Sequence, residues 1–425
     1  MRFFIRTYGC QMNIYDSKVI ERRLIELGHT RADSLDDAEF VIVNTCSVRE
    51  HAEKRALGQI RQIASQKKRR KLTLIVIGCM ATRLGDKLIS EYGADYSIGA
   101  DKLWQIEEII TGKKLTPPDL FTGLGTPPET GKKPISYVAI SRGCSNFCSY
   151  CIVPYVRGPL RHRKPDEIIR EIELLASEGV REITLIGQNV NSYRYGEIEF
   201  AELLKMVSNI EGIERIRFTT NHPKDLSDSV IEAISSLPKV AHHIHLPVQS
   251  GSNRILELMR RGYSREDYIA LVEKLYKSVP DIHITTDVMV GFPTESIDDF
   301  EQTVKLYREV GFAGGFFFYY SVRPGTAASR MRDDVTYKEK IRRLNILINI
   351  GQELAEKKSE ELIGTAQEVL VEEKPVEKPK ELKGRISCGR VTTFEGEKDL
   401  IGRIVPVRII AASIWNLRGK IENNS

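Results

Sequence analysis

The middle of the chain holds three cysteines within eight residues, in the stretch that starts at Gly143. Cys144, Cys148 and Cys151 have the spacing Cys-x3-Cys-x2-Cys, and we call them the loop trio. Thiolates at this spacing can ligate three irons of a 4Fe–4S cube, which normally has four cysteine ligands. The next cysteine downstream is Cys388, so one iron would keep an open coordination position, as catalytic metal sites do. The fold must bring these thiols together, and the stretch predicts a catalytic iron–sulfur site.

A structural zinc site is the alternative interpretation of the loop trio. His162 follows Cys151 by 11 residues and could supply the fourth ligand that structural zinc requires. The stretch also carries Phe147, Tyr150 and Ile152, at positions where small zinc sites prefer turn residues. We therefore favour the iron–sulfur site.

Length and composition indicate several globular domains. The 425 residues suffice for about two to four domains, and 41% hydrophobic and 28% charged residues are typical of globular proteins. No apolar run is long enough for a membrane span, and the N-terminus lacks a signal-peptide pattern. Seven cysteines without an export signal indicate reduced thiols. We expect a cytoplasmic protein, and a net charge of +5 permits a nucleic-acid partner without requiring one.

The first part of the chain alternates predicted strands with helices. Three segments have the apolar, β-branched character of buried strands: Arg2–Tyr8, Glu39–Thr45 and Leu72–Ile77. Helical patterns separate them, and the first of these ends at Gly28. This alternation predicts an open parallel sheet with helices on both faces.

Three further cysteines each come soon after the end of one of these strands. We call Cys10, Cys46 and Cys79 the sheet trio. The carboxyl ends of parallel strands line one crevice, so thiols distant in sequence can meet there. The pattern favours a second three-cysteine cluster, although isolated cysteines can also be buried small apolar side chains.

A second alternating pattern follows a linker rich in proline and glycine. Its six predicted strands favour an incomplete (β/α)6 barrel, whose site would lie at the carboxyl ends of the strands. The loop trio follows the first strand, at that same rim. The strands are Tyr137–Ser141, Glu182–Gly187, Arg215–Thr219, Val240–Leu246, Ile282–Val290 and Gly315–Tyr320.

Basic residues follow the loop trio closely. Arg157, Arg161 and Arg163 could contact the phosphates of a nucleic acid, and a solvated loop at the start of a helix is the alternative. Single histidines on the barrel, such as His222 and His243, are expected to be structural.

The last part of the chain changes to short strands after a long amphipathic helix over Val335–Leu362. Five strands punctuated by glycines predict a small barrel of a shape that often binds oligonucleotides. The predicted strands are Thr365–Val371, Arg385–Ser387, Val391–Phe394, Ile404–Ile410 and Leu417–Ile421. Together the patterns predict a mixed α/β chain with domains at 1–112, 135–360 and 361–425 and a linker at 113–134.

The whole chain resembles the radical S-adenosylmethionine (SAM) methylthiotransferases. The loop trio, with an aromatic residue before its last cysteine, is similar to the signature of radical SAM enzymes. Further local matches are Tyr8–Asn13, Asn44–Glu50, Gly187–Tyr193, His245–Ser252, Asp287–Glu295 and Arg323–Thr326. The forms of Tyr8–Asn13 and Gly187–Tyr193 are similar to the MiaB branch, which modifies isopentenylated adenosine beside the anticodon.

The resemblance implies a chemistry and its cofactors. A 4Fe–4S cluster on the loop trio would bind SAM and split it to a 5′-deoxyadenosyl radical, which takes hydrogen from carbon 2 of the adenine. A second 4Fe–4S cluster, on the sheet trio of an N-terminal domain, would deliver sulfur, and a second SAM the methyl group. Tyr150, Gln188, Gln249 and Asp287 are the SAM-binding candidates by this resemblance, and the C-terminal barrel would be an RNA-binding TRAM domain.

The implied partners are a tRNA anticodon stem-loop, an electron donor of flavodoxin or ferredoxin type, and a sulfur donor, and we expect a monomer. Two alternatives within the class are a methylthiotransferase acting on threonylcarbamoyladenosine in tRNA and one acting on an aspartate of a ribosomal protein. An alternative from another class is a non-catalytic, zinc-dependent RNA-binding protein.

Overall fold

The computed structural model describes residues 1–47, 50–114, 134–375 and 380–422, without the side chains of residues 50–52. Most of the predicted linker, residues 115–133, lies outside the described residues, as do Val48 and Arg49 of one matched motif. Within the described ranges, no helix is both long enough and apolar enough to cross a membrane.

The N-terminal domain is an open parallel sheet, as predicted. Its five strands lie in the order β2-β1-β3-β4-β5 and all neighbouring pairs are parallel. Along β3, Ile42 packs on one face of the sheet while Val41 and Val43 pack on the other, which is why this strand is apolar throughout. The elements are β1 Arg2–Thr7, α1 Gln11–Glu26, β2 Thr30–Arg31, β3 Phe40–Thr45, α2 Glu50–Gln66, β4 Thr73–Gly78, α3 Cys79–Leu84, α4 Lys87–Ser90, β5 Tyr96–Ile98 and α5 Gln105–Thr111.

The first half of the central barrel consists of three long strands and their helices. The strands pair in parallel in the order β12-β9-β6. Four short strands lie in the connections between them and form two small sheets. The elements are β6 Ile135–Ala139, β7 Ser141–Arg142, α6 Val153–Arg157, β8 Arg161–His162, α7 Pro165–Ser177, β9 Glu182–Ile186, β10 Arg194–Tyr195, β11 Ile198–Glu199, α8 Phe200–Ser208 and β12 Arg215–Phe218.

The second half of the barrel continues the same curved sheet. Strands β13, β14 and β15 are parallel, and a parallel bridge between Ile216 and Val240 joins them to β12. Six parallel strands therefore form the predicted incomplete barrel, with β6 and β15 at its edges. The elements are α9 Asp228–Ser236, β13 His243–His245, α10 Asn253–Leu258, α11 Arg265–Ser278, β14 His283–Val290, α12 Ile297–Val310, β15 Gly314–Tyr319 and α13 Tyr337–Glu360.

Other parts of the chain cover the two edges of the barrel. Helix α1 packs along β6, where Met12 and Tyr15 share a core with Ala139. Helix α13 packs along β15 and then meets the C-terminal barrel, where Arg390 Nη2 donates to the Ala355 carbonyl at 2.9 Å. The N-terminal domain thus lies beside the barrel strand that leads into the loop trio.

The C-terminal domain is a closed barrel of five strands in the order β16-β17-β18-β20-β19. The elements are β16 Ala366–Glu373, β17 Glu381–Arg385, β18 Val391–Glu395, β19 Ile404–Ala412 and β20 Asn416–Ile421. The predicted strand at Arg385–Ser387 is wrong, because the strand precedes it and residues 386–389 form a turn. Gly384 lies inside β17 and not in a turn. A glycine is required there because a Cβ would collide with the Leu370 carbonyl of the neighbouring strand.

Candidate active site

The sheet trio meets at the carboxyl edge of the N-terminal sheet. Cys10 caps the start of α1, Cys46 directly follows β3, and Cys79 is the first residue of α3. A Cβ built on Gly9 would lie 2.5 Å from Cβ and 3.2 Å from Sγ of Cys46, and one on Gly78 would lie 2.5 Å from the Thr45 carbonyl oxygen. The three cysteine loops are therefore packed directly against one another, as parallel topology predicts.

Asn13 holds two of these loops in place. It is buried on the first turn of α1, and its Nδ2 donates to the carbonyls of Tyr8 at 2.8 Å and Thr45 at 2.9 Å. Its Oδ1 faces the thiol of Cys10 at 3.6 Å. The sequence reasoning missed this role. The signal was available, since a residue three positions after Cys10 lies next to it on a helix.

The loop trio lies at the carboxyl end of β6, on a tightly bonded loop. Cys144 N donates to the Gly158 carbonyl at 3.2 Å, and Cys151 N donates to the Cys148 carbonyl at 3.0 Å. Gln188 Oε1, from the loop after β9, accepts a bond of 2.5 Å from the backbone N–H of Gly143. This backbone pairing fixes the path of the loop on which the thiols are carried.

Cys79 of the sheet trio lies at the interface between the N-terminal domain and the barrel, against the segment that follows the loop trio. Cys79 packs against Ile152 and Val156, the residues that follow the last cysteine of the loop trio. Arg157, at the end of α6, donates from Nε to Sγ of Cys79 at 3.2 Å. The interface therefore brings Cys79 next to the segment that begins at Cys151.

The same interface corrects two of the predicted phosphate contacts. Arg157 and Arg163 are buried, with side chains only 4% and 8% exposed. Arg163 pairs with Glu171 and donates to the hydroxyl of Tyr15 at 3.4 Å, across the domain boundary. Both guanidinium groups bind internal partners, so assigning them to RNA was wrong; Arg161 remains exposed.

Burial governs the ionisation of the thiols. It raises the pKa of Cys79 and of Cys144, and it raises that of Cys151 to about 12. All seven cysteines are free of disulfides. Because iron ligates the thiolate, cluster binding at these positions would release protons. In the described part of the chain, no three His, Cys, Asp or Glu side chains converge on the position of a single metal ion.

Two polar residues from the barrel stand next to Cys148. Arg261 Nη1 lies 3.5 Å from its Sγ, and His222 Nε2 lies 3.9 Å from it. Burial, with the charges of Arg261 and Lys224, lowers the pKa of His222 to about 2, so this imidazole is neutral at physiological pH. Sequence reasoning assigned His222 to structure and overlooked Arg261, because their approach to Cys148 spans the barrel and no local spacing reports it.

The four SAM-binding candidates fall into two places on the rim. Gln188 and Tyr150 lie at the loop trio, where the Tyr150 hydroxyl accepts from Arg261 at 3.4 Å. Gln249 follows β13 and lies beside Asp287 of β14, because Gln249 N donates to the Asp287 carbonyl at 2.9 Å. Within the part of the chain that the structure describes, no hydrogen bond joins these two pairs.

The rim also offers buried acceptor atoms without partners. Oδ1 of Asn189 and Oδ1 of Asn221 are buried and accept no hydrogen bond among the described residues. Gln249 adopts a left-handed backbone with φ of 70°, a strained conformation that proteins retain mainly at functional sites. Orphaned acceptors and strain at this rim fit a polar cofactor that carries N–H and O–H donors, as SAM does.

Three family models together match most of the chain. Residues 138–307 match the radical SAM superfamily, residues 2–99 match the uncharacterized protein family UPF0004, and residues 360–421 match the TRAM domain. The C-terminal barrel is therefore a TRAM domain. The radical SAM match brings with it SAM and a 4Fe–4S cluster as the cofactors of the enzyme.

Curated relatives match the chain from end to end. The tRNA-2-methylthio-N(6)-dimethylallyladenosine synthase of Syntrophus aciditrophicus is 44% identical over 98% of this chain and 94% of its own length. The synthase of the same name from Syntrophomonas wolfei is 43% identical over 100% of this chain and 98% of its own length. The radical SAM methyltransferase TsrM of Kitasatospora setae has the same fold, with a TM-score of 0.60 and 14% identity over 77% of this chain and 75% of TsrM. The chain therefore belongs to the radical SAM methylthiotransferases, in the MiaB branch of tRNA-2-methylthio-N(6)-dimethylallyladenosine synthases.

Proposed function

We propose that the chain inserts sulfur and a methyl group at C2 of N6-(dimethylallyl)adenosine-37, next to the anticodon of tRNA, and that it uses two 4Fe–4S clusters and two SAM molecules. The names of its relatives support the substrate. One observation supports the two-cluster part: Cys79 of the sheet trio packs on Ile152 and Val156, which follow Cys151 of the loop trio.

The three domains divide the work. Residues 1–112 would hold the auxiliary cluster on the sheet trio, residues 135–360 would hold the second cluster and SAM, and residues 361–425 would bind the tRNA. When bound, the clusters and SAM supply the radical and sulfur chemistry, and the chain supplies their positions. Three thiols at each site would leave one iron of each cube without a protein ligand.

The residues of the rim have separate tasks in this proposal. Asn189 and Asn221 offer acceptors to the N–H and O–H groups of SAM. Gln188 holds the entry of the cysteine loop through the Gly143 N–H. Arg261 donates toward Cys148, which stabilises its thiolate form. His222 is buried with Nε2 3.9 Å from Sγ of Cys148, where it helps to order this ligand.

The tRNA proposal is tested with reconstituted enzyme under anaerobic conditions. The enzyme is given SAM, a low-potential reductant of flavodoxin type, and a tRNA that carries N6-dimethylallyladenosine. Mass spectrometry of the nucleosides should detect the 2-methylthio product. A tRNA that carries threonylcarbamoyladenosine is the matched substrate, and methylthiolation of that tRNA instead would assign the chain to another branch.

The two-cluster proposal is tested by counting iron. Wild-type protein should bind about eight irons per chain, and alanine replacement of either trio should leave about four. The matched control is Cys388→Ala, which should keep about eight. A wild-type count of about four, or one or two zinc ions with no iron, would contradict the proposal.

A further inference from the structure

Arg157 connects the two cysteine trios. It follows Cys151 by six residues on the barrel side of the interface, and its Nε donates to Sγ of Cys79 in the N-terminal domain at 3.2 Å. Nη2 donates to Asn13 Oδ1 at 2.6 Å, and Nη1 lies 3.3 Å from Oδ2 of Asp16. The guanidinium is thus bonded on all sides by the residues that surround the sheet trio.

The charge of Arg157 is not balanced by Asp16 alone. The Asp16 carboxylate is shared, because its Oδ1 lies 2.6 Å from Nη2 of Arg142. The side chains of Asp16 and Arg157 are 1% and 4% exposed, so water contributes little to solvating this charge. A buried charge is tolerated when it is paired and hydrogen-bonded, and a cluster-ligated thiolate at Cys79, 3.2 Å from Nε of Arg157, would supply a second negative partner.

We propose that Arg157 is a positioning residue for a cluster on the sheet trio. It connects this cluster to the segment that carries the loop trio, and it raises the reduction potential of the sheet-trio cluster. The inference rests on the proposed second cluster. A hydrogen bond and a positive charge on a ligand sulfur stabilise the reduced, more negative cluster. Because Arg157 and Cys151 belong to one short segment, the same contact sets the placement of one cluster relative to the other.

The test uses the full-length chain with the loop trio replaced by alanine, so that only the sheet-trio cluster reports. Arg157→Gln removes the charge, and Arg157→Lys keeps the charge without the planar fork of donors. The matched control is Arg170→Gln, an exposed arginine on α7. The readouts are the midpoint potential from a redox titration followed by electron paramagnetic resonance, and the rate of iron loss to a chelator.

The expected result is a lower midpoint potential in Arg157→Gln, with iron loss faster by about 10–100-fold, as other outer-shell changes produce. Arg157→Lys should restore part of the potential, and Arg170→Gln should match the parent. Failure of Arg157→Gln to hold a cluster, with a native circular dichroism spectrum and a cluster in Arg157→Lys, also supports the inference.

Three results would overturn it. An unchanged potential and rate in Arg157→Gln would show that the contact does not act on the cluster. Loss of the native circular dichroism spectrum in both variants would reduce Arg157 to a folding role. A parent chain that binds no cluster would remove the proposed second cluster itself, which separates that failure from the other two.

Discussion

At the scale of single residues, Asn13 joins the loops that carry two cysteines of the sheet trio. The amide of Asn13 spans the loops that carry Cys10 and Cys46, through bonds of 2.8 Å and 2.9 Å to backbone carbonyls. Its Oδ1 also accepts a hydrogen bond from Nη2 of Arg157 in the other domain. One side chain therefore joins two cysteine loops and the domain interface.

We predict that Asn13→Ala loses the sheet-trio cluster while it keeps the other. Two carbonyls and Arg157 would lose a buried partner, at about 1–3 kcal/mol for each unsatisfied group, and the loops would separate. Iron after reconstitution should fall from about eight to about four per chain. Asn209→Ala, an exposed asparagine after α8, is the control. A full iron count in Asn13→Ala would contradict the prediction.

At the scale of elements, Asp299 fastens the starts of two helices at the barrel rim. It forms a capping box with Ser296 at the start of α12, and its Oδ1 accepts a 2.5 Å bond from the hydroxyl of Ser252, the cap of α10. Burial opposes ionisation here, but bonds from Arg254, Ser252 and Ser296 outweigh it and lower the pKa of Asp299. The ionised carboxylate thus holds both helices.

We predict that this carboxylate makes the stability of the fold decrease as the pH becomes acidic. The pKa of Asp299 in the folded protein lies below its ordinary value of about 3.9. The contribution of the ionised carboxylate to the free energy of unfolding is therefore complete above pH of about 3.9 and is lost as the pH falls through the folded pKa. Asp299→Asn should therefore melt at lower temperature than wild type at pH 7, and the difference should narrow below about pH 4.

The melting temperatures are measured by circular dichroism on cluster-free protein, because metal binding is itself pH-dependent. Asp298→Asn, the exposed neighbour in the same helical turn, is the matched control and should follow wild type at both pH values. An equal difference between Asp299→Asn and wild type at pH 7 and pH 3 would count against a charge effect.

At the scale of the whole molecule, two arginines of β12 hold the TRAM domain against the barrel. Arg215 donates to the carbonyls of Arg385 and Glu368 at 2.9 Å and 3.0 Å. Arg217 donates to those of Ser387 and Ile386, both at 2.7 Å. Their side chains are 5% and 11% exposed, and Glu182 pairs with both. The TRAM domain is thus fixed to the scaffold that carries the loop trio.

We predict that Arg215→Gln with Arg217→Gln releases the TRAM domain. Hydrogen bonds from charged donors contribute about 1.5–3 kcal/mol each, and the double change also leaves Glu182 buried without a cation. Small-angle X-ray scattering should report a larger radius of gyration, while the iron content stays at the wild-type level. Arg418→Gln, on the exposed side of the TRAM domain, is the control. An unchanged scattering curve would refute the prediction.

Much of the fold was predictable because it depends on short-range patterns. Apolar runs bounded by turn residues indicated the longer strands of both sheets, and their alternation with helices indicated that the strands are parallel. The short edge strands β2 and β5 were not predicted, and β17 was misplaced, because Gly384 packs closely against the Leu370 carbonyl. Such a contact depends on the neighbouring strand, which no local pattern describes.

The sequence by itself determined the two cysteine trios, since the loop trio is a local spacing and the sheet trio follows from strand ends. Only the tertiary structure decided what surrounds them. Arg157 and Arg163 have the charge expected of phosphate contacts, yet the domain interface buries both against acidic partners. The physical reason is that a charge binds whichever partner the fold brings within reach. Glu171 is only eight residues from Arg163, but Asp16 and Tyr15 are more than a hundred residues from the arginines that they bind and lie across the domain boundary.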